Sequence, residues 1–289
     1  MSLRRLFAAA LMVIATASSA SAQIEATPFS QWLEGVRAEA VSKGMPAQLI
    51  GETLRNITYD ESVIVLDQKQ PEDKATFTQY MHNVLNPKRI TRGREIMANN
   101  RVALKQVSDY YHVQPQYIVA LWGIESDYGK HQGEYNTVQS LATLAFEGRR
   151  ADFFRGELMK ALEIITDYHL GPNDLTGSWA GAMGNCQFMP SSYLNFAVDW
   201  DRDGMPDIWE SDSDTFASIA NYLHQSGWSD AYGWGEGAQP NDTREIVMPG
   251  VEEEGEFAVT GNYHVLLKWN HSRMFAVSVG LLADELARR

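Results

Sequence analysis

From Pro115 to Gly129 the chain reads Pro-Gln-Tyr-Ile-Val-Ala-Leu-Trp-Gly-Ile-Glu-Ser-Asp-Tyr-Gly, a stretch that few folds can accommodate. Pro115 suits the first turn of a helix, where its missing N–H has no intrahelical partner to lose. From Tyr117 to Ile124 nearly every residue is apolar, so the helix has no wet face and needs protein on all sides. Gly129 marks where it stops. One carboxylate, Glu125, falls in the last turn. Burial disfavours its charged form, and so does the negative end of the helix dipole. Both raise its pKa, as a proton donor working near neutral pH requires. Two readings stand at this point: a surface glutamate where the helix emerges, or an acid held neutral for chemistry.

The N-terminus narrows the compartment. Met-Ser-Leu-Arg-Arg leads into an apolar run from Leu6 to Ala17, then Ser-Ala-Ser-Ala before Gln23. Charged, apolar and small-residue parts in that order predict a signal peptide over 1–22 and a mature region over 23–289. The apolar run is too short to cross a bilayer. The one cysteine, Cys186, lies far from the cleavage site, so neither an intramolecular disulfide nor an N-terminal lipid anchor is expected. The formal charge of −13 becomes about −15 without Arg4 and Arg5. That balance argues against a nucleic-acid partner and against adhesion to anionic surfaces.

Hydrophobic spacing predicts helices over 29–43, 46–56 and 75–85, one long helix over 88–111, then 139–146, 152–168, 215–225 and 272–287. The segment 57–74 reads as irregular and 171–174 as a loop. Alternating apolar residues between 244 and 269 suggest a few short strands, a small β insertion at about 240–270. The expected class is mainly α with an α+β flavour.

Three further stretches carry candidate chemistry. Between Gly177 and Pro190, small residues at 180, 181, 182 and 184 permit close backbone approach, while Met183, Phe188 and Met189 offer a cleft floor. By itself that stretch reads first as an ordinary tightly packed turn and second as a site. Trp122, Trp179, Trp200, Trp209, Trp228, Trp234 and Trp269 give aromatic faces of the kind that pack against sugar rings, although most tryptophans serve in cores. Asp199, Asp201 and Asp203 at positions one, three and five, Gly204 at six and Met205 at seven match the first half of a calcium-binding EF-hand loop. Glu210 would stand at position twelve, and Asp214 at the head of the next helix offers an alternative closing ligand. A solvated acidic turn is the other reading.

These motifs come together in a resemblance. Gly123-Ile-Glu-Ser126, Ser140-Leu-Ala-Thr-Leu-Ala-Phe146, Arg149-Arg150, Phe153-Phe154, Gly181-Ala-Met-Gly184, Gln187-Phe-Met-Pro-Ser-Ser-Tyr193, Ala217-Ser-Ile-Ala-Asn-Tyr222 and Trp269-Asn-His-Ser272 resemble the lytic murein transglycosylase B family, in the expected order. The resemblance runs from about Phe29 to the C-terminus. It implies a lysozyme-like α core, with a helical domain and a small β domain around a cleft. The implied reaction is non-hydrolytic scission of the MurNAc–GlcNAc β-1,4 bond of peptidoglycan glycan strands, ending in 1,6-anhydro-MurNAc. No cofactor is needed for that chemistry, and calcium is at most structural.

Glu125 matches the family's single acid/base. Ser178, Gln187, Tyr222, Asn270, Arg149 and Arg150 match substrate-binding positions, with Met183 and Phe188 in the same wall. Trp269 belongs to this set too, although it and Phe275 stand where tyrosines can occur. For the arginines a structural ion pair is an equal reading. The expectation is a soluble periplasmic member. A hydrolytic muramidase and a non-catalytic peptidoglycan-binding protein are the alternatives.

Overall fold

A computed structural model describes residues 28–69, 76–147, 149–250 and 255–288; the expected signal peptide lies outside the described residues. In chain order the helices are α1 (Pro28–Ser42), α2 (Ala47–Leu54), α3 (Glu61–Gln68), α4 (Phe77–Val84), α5 (Pro87–Asn99), α6 (Arg101–Tyr111), α7 (Pro115–Ser126), α8 (Thr137–Glu147), α9 (Ala151–Asp167), α10 (Pro190–Phe196), α11 (Asp212–Gln225), α12 (Gly261–Trp269) and α13 (Arg273–Ala287). The strands are β1 (Tyr135–Asn136), β2 (Thr176–Gly177), β3 (Gly235–Gly237), β4 (Glu245–Val247) and β5 (Phe257–Val259). The mainly α expectation holds.

The apolar helix is the hub. Tyr117 to Gly123 and Ser126 of α7 are buried, and α5, α6, α11 and α13 pack around it. Each fully buried Leu, Ile or Val there contributes about 1.5–3 kcal/mol. Asp127 ends the helix in the left-handed region at φ 51°, returning its N–H to the Trp122 carbonyl. A second group, α1, α2, α3, α8 and α9, packs beside this bundle, and α10 bridges α9 and α11.

The sheets are small. β1 and β2 pair antiparallel, Tyr135 opposite Gly177 and Asn136 opposite Thr176. β5 lies between β3 and β4, antiparallel to both. No helix among the described residues is long and apolar enough to cross a membrane.

Three elements differ from the sequence expectations. The helix over 88–111 is two helices, broken at Asn100, whose backbone leaves helical geometry (φ −104°, ψ 21°). Asn100 Nδ2 donates back to the Ile96 carbonyl at 3.2 Å, the local competition that makes asparagine a poor helix-interior residue. The segment 57–74 contains α3, started by Asp60, which accepts from the Ser62 N–H at 3.0 Å. Residues 261–269 form a helix, not strands. Thr260 caps it through the Asn262 N–H, and buried Asn262 ties its start to the Ser229 and Tyr232 carbonyls.

Candidate active site

Glu125 occupies the last turn of α7, half-buried, with Nε1 of Trp269 donating to its Oε1 at 2.6 Å. Burial raises the Glu125 pKa from 4.5 to about 7, partly opposed by that hydrogen bond, which favours the ionised form. Trp269 ends α12. Its ring packs 4.6 Å from Tyr222 and 5.3 Å from Phe188, centroid to centroid. Tyr80 of α4 and buried Cys186 also feel the Glu125 charge, which adds to the desolvation that raises both of their pKa values. The neighbouring carboxylate Asp127 is directed away and accepts from Arg89 Nε at 3.3 Å. Among the described residues no second carboxylate acts on Glu125.

The Gly- and Met-rich block folds as a tight double turn. Ser178 N–H donates to the Ala182 carbonyl at 2.7 Å, and Ser178 Oγ accepts from the Ala182 N–H at 3.1 Å. Met183 and Phe188 exchange both backbone hydrogen bonds. Gly133 and Gly177 are required here. A Cβ on Gly133 would run into the Gly177 carbonyl, and one on Gly177 into the Ala182 carbonyl. Gln187 sits at φ 47°, and its amide donates to the Gln132 and Gly184 carbonyls, both at 2.9 Å. Ser178, Trp179 and Gln187 share a 650 Å³ cavity with Lys130, Gln132 and Tyr135.

Asn185 joins these parts. Its Oδ1 accepts from Trp122 Nε1 (3.0 Å) and Gln132 Nε2 (3.1 Å), and its Nδ2 donates to the Trp209 carbonyl (3.2 Å) and Thr215 Oγ1 (3.1 Å). Ser126 Oγ donates to its carbonyl at 3.0 Å. One buried amide thus fixes the end of α7, the loop after it and the start of α11.

The expected site residues divide. Glu125, Trp269, Tyr222 and Phe188 come together, and Ser178 and Gln187 line the 650 Å³ cavity, whose lining does not include Glu125. Met183 is fully buried, so it backs the wall and presents no floor. Phe188, 3% exposed, supports the Trp269 ring from behind. The Tyr222 hydroxyl donates to the Lys268 carbonyl at 2.7 Å. Asn270 is exposed just past α12, its Oδ1 accepting from the Ser272 N–H. Arg149 binds Asp67 of α3 through both its carboxylate (3.4 Å) and its carbonyl (2.9 Å). Arg150 lies over the Phe154 and Phe153 rings at 5.0 and 5.6 Å. Sequence reasoning missed Tyr80, Gln132 and Asn185, for which it held no signal beyond residue type.

A family model described as "Transglycosylase SLT domain" matches residues 28–242 and 236–284. The chain belongs to this SLT transglycosylase family. It is 33% identical over 195 residues to membrane-bound lytic murein transglycosylase B of Escherichia coli K12, an alignment covering 64% of this chain and 54% of that protein. The chain thus spans about half the length of that curated relative. SltB3 from Pseudomonas aeruginosa, solved with NAG-NAM-pentapeptide and with NAG-anhNAM-pentapeptide, superposes with a TM-score of 0.85 at 33% identity, covering 89% of this chain and 79% of SltB3. The Escherichia coli lytic transglycosylase Slt35, solved in complex with calcium, gives 0.75 at 27% identity, covering 88% and 92%.

In this SLT-family chain the acidic loop gathers three carboxylates. Carboxylate oxygens of Asp199, Asp201 and Asp203 all lie within 4.8 Å of one another. The loop is held in shape by the Asp203 and Gly204 N–H groups donating to Asp199, with Arg202 and Gly204 at φ 65° and 110°. The donor set, hard oxygens from three clustered carboxylates, suits Ca²⁺. Asp214 differs from expectation. Fully buried, it accepts from the Trp200 N–H (2.9 Å) and, more weakly, the Asp201 N–H (3.4 Å) through one oxygen, and from the Asp207 N–H (2.9 Å) through the other. It braces the loop from beneath and is not a ligand in this arrangement.

Proposed function

We propose that this SLT-family chain is a periplasmic peptidoglycan lytic transglycosylase in which Glu125 serves as acid and then as base. The observation that carries the reading is a lone carboxyl held near neutral pKa, with Asp127 turned to Arg89. Ordinary glycosidases place two carboxylates about 5–10 Å apart across the scissile bond. A single acid suffices when the substrate supplies the nucleophile. Protonated Glu125 gives its proton to the glycosidic oxygen as the C1–O4 bond breaks, releasing GlcNAc with a free 4-hydroxyl. The 2-acetamido oxygen of MurNAc supports the oxocarbenium-like C1. The C6 hydroxyl oxygen then attacks C1, and its proton returns to Glu125. No water is consumed. Such proton transfer contributes typically about 10²–10⁴-fold.

The SltB3 complexes with NAG-NAM-pentapeptide and NAG-anhNAM-pentapeptide support both the substrate class and an anhydro product. Ser178 and Gln187, at the shared cavity, would position the glycan. The charged start and short apolar run of the N-terminus support export. Asp199, Asp201 and Asp203, with the Met205 carbonyl, would hold Ca²⁺, which neutralises the loop's charge and takes no part in the reaction.

The deciding experiment digests purified sacculi with the wild-type protein and with Glu125→Gln, followed by mass spectrometry. Anhydro-ended muropeptides from the wild type alone are expected. Reducing ends would establish a hydrolytic muramidase, and equal release by both proteins would overturn the role of Glu125.

A further inference from the structure

Trp269 meets Glu125 across 144 residues of sequence. Its indole N–H is a donor and nothing else. The oxygen it touches, Oε1, must therefore accept whether the carboxyl is ionised or neutral. In a neutral carboxyl the carbonyl-type oxygen is the better acceptor, so a 2.6 Å bond to Oε1 favours the proton on the other oxygen. Among the described residues no hydrogen bond reaches Oε2.

The donor is also fixed in place. The ring is wedged against Tyr222 and Phe188. The end of α12 that carries it is held by the Tyr222 hydroxyl on the Lys268 carbonyl and by Lys268 Nζ on the Ser226 carbonyl at 2.8 Å. A hydroxyl donor at the same place could rotate and accept instead, leaving the proton free to sit on either oxygen. An indole cannot.

We infer that Trp269 is a positioning residue that holds Oε1 as a permanent acceptor and so assigns the working proton to Oε2. Its catalytic consequence rests on the transglycosylase reading; the carboxyl–indole coupling itself does not. Oε2 is then the oxygen that hands the proton to the leaving group and takes it back from the C6 hydroxyl.

The Glu125 charge acts on two other titratable groups. Tyr80 from α4 and Cys186 from the Gly-rich block have raised pKa values and stay neutral. On α5, Arg89 pairs with Asp127. On α13, Asp284 accepts from Trp234 Nε1. On α11 and α6, His224 contacts the Tyr111 carbonyl.

The test needs no activity. In ¹⁵N NMR of the full chain, the Trp269 indole resonance is expected to titrate with a midpoint near the Glu125 value of about 7 and to stop titrating in Glu125→Gln, which leaves His224 intact. A flat indole resonance in the wild type overturns the inference. On sacculi, Trp269→Phe keeps the ring packing and removes the donor. It is expected to lower kcat about tenfold with KM little changed, and to move the alkaline limb of the pH profile up by about one unit. Trp269→Tyr should restore much of that shift. A Trp269→Phe enzyme with wild-type kcat and pH profile overturns the positioning role. An indole that titrates in a wild-type protein releasing no muropeptides supports the coupling and removes the transglycosylase reading instead.

Discussion

Asp127 follows Glu125 by two residues, yet its Oδ1 accepts from Arg89 Nε at 3.3 Å and its Oδ2 faces Lys130 at 3.9 Å. The left-handed turn at Asp127 is what separates the two acids. Glu125→Gln should therefore lower muropeptide release at least about a hundredfold. Asp127→Asn should keep the same anhydro products and lose about 1–2 kcal/mol of stability, since its pair is partly exposed. Product analysis and urea denaturation of the two variants separate these roles.

The raised pKa of Glu125 also sets a stability cost with a definite sign. Between about pH 4.5 and pH 7 the folded state keeps a proton that the unfolded chain loses. Stability attributable to this group is therefore full below the unfolded value and declines as pH rises toward and past the folded one. The total is on the order of 3 kcal/mol. Glu125→Gln should melt near the wild type at about pH 4 and clearly above it at about pH 8. Thermal melts at both values check this. Catalysis that needs the protonated acid should fade as pH rises through about 7.

Three carboxylates within 4.8 Å repel one another until a cation arrives. Millimolar Ca²⁺ is expected to raise the melting temperature, and Asp201→Asn to abolish the rise. Binding at a hundredfold excess over Kd would add about 2.7 kcal/mol. A calorimetric scan with and without chelator reads the effect.

Asn185→Ala removes four side-chain hydrogen bonds from a buried position and leaves Trp122 Nε1 without its partner. A loss of about 2–4 kcal/mol is expected. Because the same amide fixes the loop after α7, activity should fall even at temperatures where the variant stays folded. Paired melting and activity measurements test this.

Much of this arrangement was legible in the sequence where the cause is local. α7 could be read from Pro115, an apolar run without a wet face, and the stop at Gly129. The neutral acid followed from where Glu125 falls in that helix. What could not be read depends on partners far away in the chain. Arg149 is held by Asp67, and the hydrogen bond from Trp269 to Glu125 spans 144 residues. Met183 reads as a cleft floor because its spacing gives no hint that Phe188 pairs with it and closes it in. α12 reads as strands because Tyr263, Val265, Leu267 and Trp269 fall on alternate positions, over too few residues to show a helical period. Its helical start is decided by Thr260 and Asn262.

The two halves of the proton device are encoded far apart, one in the middle of the chain and one in its penultimate helix. Until the two parts of the fold meet, Glu125 is an ordinary, hydrated glutamate. Only when α12 docks does that side chain meet its indole, so the paired acid and donor exist only in the completed fold.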